Sequence, residues 1–292
     1  MARPVPEKSD AFPTARDCSP ANSEYTHHQG KYFAHWLTLR SRGEASVTRT
    51  LASSRVDMNP HLVDAALFAL KSPIAAGVLL ADEVGLGKTI EAGLVIAQHW
   101  AQQHRRILLI VPATLRKQWS QELADKFLLP SQILESRTYA IERKNGCLNP
   151  FASDDKIVIT SYEFAASKAQ DLQAVAWDFV VLDEAHKLRN LYKGESAAKR
   201  ATILNDALRD RRKVLLTATP FQNSLMELYG LVSFISSDFF GSKEAFQLQY
   251  ASGRQNEARQ RELKHRLEPI CHRTRPDGVH RHARGPFARY LA

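Results

Sequence analysis

The chain has 292 residues and a 44% hydrophobic content, enough for one large packed domain or a domain with appendages. Lys and Arg number 40 against 31 Asp and Glu, and this +9 surplus suits a polyanion such as nucleic acid, although a basic surface without such a partner would show it equally. Cys18, Cys147 and Cys271 lie far apart without a CxxC pair, which excludes a zinc framework or disulfide scaffold read from spacing, and no apolar run approaches the roughly 18 residues of a membrane span.

The first 24 residues, "MARPVPEKSDAFPTARDCSPANSE", contain no apolar stretch of the kind a signal peptide uses. A reducing, cytoplasmic setting without a membrane is therefore expected. Residues 1–30 are rich in Pro, Ser and charge and read as a mobile tail. "KYFAHWLTLR" (31–40) is the first element expected to be ordered. A helix is expected over "NPHLVDAALFAL", where Asn59-Pro60 makes a start and Leu62, Ala66, Leu67 and Leu70 recur at helical spacing. Short aliphatic runs then alternate with helical stretches: "GVLLA" at 77–81, "ILLIV" at 107–111, "KIVIT" at 156–160, "FVVL" at 179–182 and "KVLL" at 213–216. Each run is strand-sized and apolar on both faces, as in a parallel sheet covered by helices. Between them, Leu115, Trp119, Leu123 and Phe127 fall every four residues, so Trp119 reads as core, and Ala197, Ala201, Leu204 and Leu208 fall much the same way. The rhythm predicts an α/β domain with a doubly wound, mostly parallel sheet and helices on both faces.

Three strand ends carry chemistry. "LLADEVGLGKTIEAG" (79–93) departs from the strict G-x-x-x-x-G-K-[ST] pattern of a P-loop, because Asp82 stands at the first glycine. What remains, Gly85-Leu86-Gly87-Lys88-Thr89, follows a predicted strand and opens an apolar helix, which aims loop N–H groups and a helix N-terminus at a phosphate. The glycines let the backbone approach, Lys88 neutralises the β/γ-phosphates, and the Thr89 hydroxyl can sit on Mg²⁺. Asp82 and Glu83, at the mouth of the loop, are grouped with Gly85, Gly87, Lys88 and Thr89 as nucleotide-binding residues. The bland alternative is a glycine turn with a solvated lysine. "FVVLDEAHKLRN" places Asp183 and Glu184 at the end of a buried strand, where an open α/β sheet binds ligands. Asp183 would hold Mg²⁺, and Glu184 would position and deprotonate the attacking water; a helix N-cap is the alternative. "VLLTATPFQNSLMEL" repeats the geometry with Thr217 to Thr219, or is a Thr-rich turn closed by proline.

In this order and at these separations, the three stretches resemble helicase superfamily two, and more narrowly the Swi/Snf-type DNA-dependent ATPases. "DEVGLGKTIEAG" is similar to the bacterial branch, and the resemblance runs from about Tyr32 to Arg275. It implies a RecA-like P-loop NTPase lobe over residues 31–270, with ATP and Mg²⁺ as cofactors and duplex DNA, bound without sequence preference, as partner. It implies DNA-backbone contacts at Pro112 and Thr114 in "ILLIVPATLRKQW" and at Thr160 and Ser161 in "ITSYE". It gives His186 a catalytic role in coupling the nucleotide site to Thr217–Thr219, and it matches Gln222 and Asn223 to the family's "TP-x-QN" ending.

Two departures stand out. Leu62 occupies the place where the family carries a glutamine that reads the adenine edge, which leucine cannot do. After "LEPICHRTR" the family pattern gives way to "PDGVHRHARGPFARYLA". Residues 271–292 are open to three readings: a basic nucleic-acid arm, a metal cluster of Cys271, His272, His280 and His282, or a frame-shifted or truncated end. The family's motors use a second RecA-like lobe that supplies arginine fingers, so that lobe is expected in trans or is missing. The expected function is the ATP-binding lobe of a DNA-dependent translocase, weakly active or inactive alone. A non-catalytic DNA-binding module and a different P-loop enzyme, such as a nucleotide kinase, are the alternatives.

Overall fold

In the computed structural model of the chain, residues 54–56, 59–72, 76–83, 87–193, 195–251 and 257–273 are described. The expected tail at 1–30, the element at 31–40, Gly85, His280 and His282 lie outside them.

Seven strands form one sheet in the order β3-β4-β2-β5-β6-β1-β7: β1 Gly77–Leu80, β2 Ile107–Val111, β3 Ser131–Ile133, β4 Ile157–Ser161, β5 Phe179–Asp183, β6 Lys213–Leu216 and β7 Cys271–His272. Every pairing is parallel. β1, β2, β4, β5 and β6 are buried at every position, which is why they read as unbroken aliphatic runs.

Alternate residues of those strands feed two cores. Val78, Leu80, Leu109, Val181 and Val214 face one side, where α1 (Pro60–Lys71), α2 (Lys88–Ala101) and α3 (Arg116–Phe127) pack. Leu79, Leu108, Val180, Leu182 and Leu215 face the other. That side is covered by α4 (Ser136–Lys144), α5 (Tyr162–Ser167), α6 (Ala169–Gln173), a 3₁₀ segment (Ala185–Lys193), α7 (Glu195–Ala207) and α8 (Leu225–Ile235), with α10 (Glu257–Leu267) beyond a short α9 (Lys243–Phe246). The period-2 alternation thus divides the domain into two helical layers around one sheet, as the sequence predicts.

One boundary moves. Cys271 and His272, expected in the C-terminal tail, form β7 and pair with Leu79 and Leu80, so the sheet takes in the first residues of that segment. The Cys271 thiol is pushed up to about 12 by burial, which opposes the thiolate a metal would need. No metal-binding cluster of His, Cys, Asp and Glu occurs among the described residues. Among the same residues no helix is long and apolar enough to cross a membrane.

Candidate nucleotide site and nucleic-acid face

Because all strands run parallel, their carboxyl ends share one edge. In sheet order that edge presents Ser161 ending β4, Pro112 after β2, Asp183 ending β5, Thr217 after β6 and Asp82 after β1. β5 and β1 are separated only by β6, so their ends stand about 10 Å apart at the usual strand spacing. Residues about a hundred positions apart in sequence thereby meet across one crevice.

Gly87 caps α2 with φ 95°, a left-handed conformation that glycine adopts without strain. A Cβ there would also meet Leu62 Cδ2 at 2.8 Å, so the buried Leu62 lies directly against the loop. Lys88 Nζ donates to the main-chain carbonyls of Asp82 at 2.9 Å and Glu83 at 3.0 Å. The ammonium is thus folded back over its own loop by neutral acceptors, which a phosphate oxygen would outcompete. Thr89 is half-buried in the first turn of α2.

Beneath the loop, Asp82 and Glu91 are both fully buried. Burial, then a hydrogen bond to Asp82 and the charge of Asp82, push the Glu91 carboxyl up to about 9. Glu91 is therefore neutral at pH 7. Asp82 is thus a buried partner within the loop's base rather than an exposed phosphate neighbour, whereas Glu83 is exposed and stands 3.7 Å from Arg273 Nη2.

Asp183 is not a helix cap. Its Oδ1 accepts from the Glu184 N–H at 2.8 Å and its Oδ2 from the Trp119 indole Nε1–H at 2.8 Å. The buried Tyr162 hydroxyl donates to the Asp183 carbonyl at 2.7 Å. Burial raises the Asp183 carboxyl above its ordinary range, while the indole, the Glu184 N–H and Lys88 pull the other way. Glu184 has φ 52°, which lifts its side chain out of the strand line into half-exposed space. His186 Nδ1 stands 3.0 Å from Glu184 Oε2.

Arg189 links this turn to the stretch that follows "TATP". Arg189 Nη1 donates to Gln222 Oε1 at 3.1 Å and stands 3.7 Å from Glu227 Oε2, while Glu227 accepts from the N–H of Gln222 at 2.7 Å. The sequence reading named His186 for coupling to Thr217–Thr219 and did not name Arg189, whose partners Gln222 and Glu227 lie further along. Thr217 is buried and its Oγ1 accepts from the Thr219 N–H at 3.1 Å.

Of the residues assigned to nucleic acid, Thr114 is exposed and Pro112 half-buried on the turn before α3. Thr160 is a correction: it is fully buried and donates its hydroxyl to the Leu134 carbonyl at 3.0 Å, so it faces away from any phosphate. Ser161 is buried too and caps α5 by accepting from the Phe164 N–H, yet it lines a cleft of 520 Å³. Arg116, Ser136, Arg137 and Ser167 line the same cleft together with the carboxylates of Glu135 and Glu163, Arg116 paired to Glu135 at 2.9 Å and Arg200 to Glu163 at 2.9 Å. Arg116 and Arg137 escaped the sequence reading because nothing in a linear pattern places β3 and α4 beside α3.

The fold defines a RecA-like α/β domain. More narrowly, residues 28–283 match the SNF2-related domain, and the chain belongs to that family. It is 32% identical over 219 residues to the Bacillus subtilis protein named uncharacterized ATP-dependent helicase YqhH, covering 74% of this chain and 36% of that protein. The fold is shared with the Sulfolobus solfataricus SWI2/SNF2 ATPase core, solved in complex with dsDNA (TM-score 0.62, 22% identity) and also as the core domain alone (TM-score 0.60, 22% identity). Each match covers 76% of this chain and 45% or 44% of the other, so the chain spans under half the length of the relatives it matches.

Proposed function

We propose that residues 31–270, extended through β7, form the ATP-binding lobe of a DNA-dependent ATPase that couples hydrolysis to movement on duplex DNA in a two-lobed enzyme. The observation that carries the reading is the convergence of Lys88 on α2 with Asp183 at the end of β5 and Glu184 just beyond it at one sheet edge. The residues present fit Mg²⁺·ATP: a left-handed glycine closes the loop onto α2, Lys88 donates to the main-chain carbonyls of Asp82 and Glu83, and Asp183 presents a buried carboxyl.

Bound Mg²⁺·ATP would supply the phosphoryl group that passes to water. Gly85 and Gly87 would let the loop N–H groups approach the phosphates, Lys88 would neutralise them, and Thr89 with Asp183 would hold the metal. Glu184 would orient the attacking water and take its proton, and His186, beside it, would couple the nucleotide site to Thr217–Thr219. Pro112, Thr114 and Ser161, joined by Arg116 and Arg137, would track the DNA backbone without reading bases. The family resemblance puts the arginine finger on the second lobe, in trans to this one. Such a finger contributes on the order of 10³ to 10⁵ in rate, so the lobe alone would bind nucleotide and turn it over very slowly.

Titration calorimetry of Mg²⁺·ATP into the purified chain, with Lys88→Ala as control, tests the reading. Wild type should bind and Lys88→Ala should bind at least about tenfold more weakly, the value of one charge-assisted hydrogen bond. Equal binding by both, or none by wild type, would leave a DNA-binding module in its place.

A further inference from the structure

A buried indole needs a partner for its N–H, and Trp119 is only 2% exposed. Its ring packs with Leu123 and Phe127 of α3 in the core layer, as the four-residue spacing predicts. Its polar end is turned toward β5, where Nε1 donates to Asp183 Oδ2 at 2.8 Å. That is a well-formed N–H···O hydrogen bond. The other carboxylate oxygen is taken by the Glu184 N–H at 2.8 Å, and the Asp183 carbonyl by Tyr162. One donor on each oxygen fixes the rotation of the carboxyl, and Tyr162 fixes the peptide that carries it. Each oxygen keeps a further lone pair for a cation.

We infer that Trp119 is a positioning residue for the metal-holding carboxylate of Asp183, with α3 as the rigid arm that carries it. The inference rests on the proposed role of Asp183 in holding Mg²⁺. A ring held by the core on one side and by one hydrogen bond on the other cannot drift without opening a void, so the carboxylate is aimed before any metal arrives. Partners of this kind, which touch a metal ligand rather than the metal, are worth about 10- to 100-fold in metal affinity. Phenylalanine would fill most of the same space and leave Asp183 Oδ2 without its donor. Trp119 also leads back along α3 to Arg116 and the Pro112–Leu115 turn on the proposed nucleic-acid face, so the arm that aims Asp183 begins at that face.

Two measurements on the full 292-residue chain test this. The four tryptophans give four indole N–H resonances, and the one lost in Trp119→Phe belongs to Trp119. It should move on Asp183→Asn and on titration with Mg²⁺ alone. Should Trp119→Phe fail to fold, variants of Trp36, Trp100 and Trp177 assign the same resonance by elimination. An indole signal indifferent to Asp183→Asn overturns the inference. Second, the ratio of ATP affinity with Mg²⁺ to ATP affinity in EDTA should fall about tenfold in Trp119→Phe, while affinity in EDTA stays unchanged. An equal loss under both conditions would make Trp119 a packing residue only and would overturn the inference as well. Failure of wild type to bind any nucleotide would defeat the proposed function instead, and the response of the indole to Asp183→Asn and Mg²⁺ would still decide the place of Trp119.

Discussion

Glu91 and His99 lie on the same helix and pull stability in opposite directions with pH. Glu91 keeps its proton in the folded chain up to about 9, whereas the unfolded chain releases it near 4.5. Its contribution is therefore fully present below 4.5 and is lost as pH rises toward 9. His99, stacked on Phe179 at 4.2 Å and lowered to about 3 chiefly by burial, stays neutral when folded. Its contribution is present above 6.5 and is lost as pH falls toward 3. Above pH 6.5 only the Glu91 effect remains of the two, so the melting temperature of the wild-type chain should drop between pH 6.5 and 9. Glu91→Gln keeps a donor for Asp82 without a titrating proton and should flatten that limb. Parallel melting curves for the two proteins across this range would exclude the Asp82–Glu91 pair as its source. At this scale Lys88, Thr89, Asp183 and Glu184 stood out in the sequence because a glycine loop and a carboxylate pair both follow strand-sized aliphatic runs. It was silent on Glu91 and on the donor role of Trp119, since both sit at ordinary helix positions and acquire their chemistry only from what burial sets beside them.

Among the elements, the 3₁₀ segment Ala185–Lys193 and α8 approach most closely at Gly230, where an added Cβ would lie 2.3 Å from the Arg189 carbonyl oxygen. Backbone opposes backbone there, so one element must move. Gly230→Ala gains about 1 kcal/mol of helix propensity but incurs about 1–3 kcal/mol of overpacking. We expect a net loss of about 1 kcal/mol, read as a lower urea midpoint with an unchanged slope. The shift would also pull Arg189 from Gln222, a link between the Asp183 turn and the stretch after "TATP", so nucleotide affinity should weaken with it. A midpoint at or above wild type would mean that the contact is loose. The five long strands were legible because each is buried on both faces and therefore unbroken in its aliphatic run. β3 and β7 were not: Ser131–Ile133 is half-exposed at one edge, Cys271–His272 is two residues long at the other, and both exist through pairing with a stronger neighbour. The run "RDRRK" before β6 is charged for a structural reason, since Arg212 donates to the carbonyls of Ala69 and Leu70 at the end of α1, and Lys213 to that of Arg209.

For the described residues of the molecule, basic side chains stand at both ends of the sheet, and their commitments decide where DNA would lie. Arg212 and Lys213 are committed to helix-end carbonyls at the amino end of β6, away from the crevice. At the carboxyl edge, Lys117 and Arg137 are exposed around the cleft that Arg116 and Ser161 line, beside the expected contacts Pro112 and Thr114. A duplex backbone laid there would run across the ends of β2 and β4 and leave the loop at Lys88 to nucleotide. Binding should be independent of sequence and weaken linearly in log–log plots against salt, with each phosphate contact contributing about 0.9 to the slope. Lys117→Ala and Arg137→Ala should each flatten the slope by about that amount, whereas Arg212→Ala and Lys88→Ala should leave it unchanged. Fluorescence anisotropy of a labelled duplex across a salt series reads all five proteins on one axis. If Arg212→Ala flattens the slope and Arg137→Ala does not, DNA sits at the opposite end of the sheet. The carboxyl edge would then serve nucleotide alone, and coupling between the two ligands would have to cross the full length of the strands.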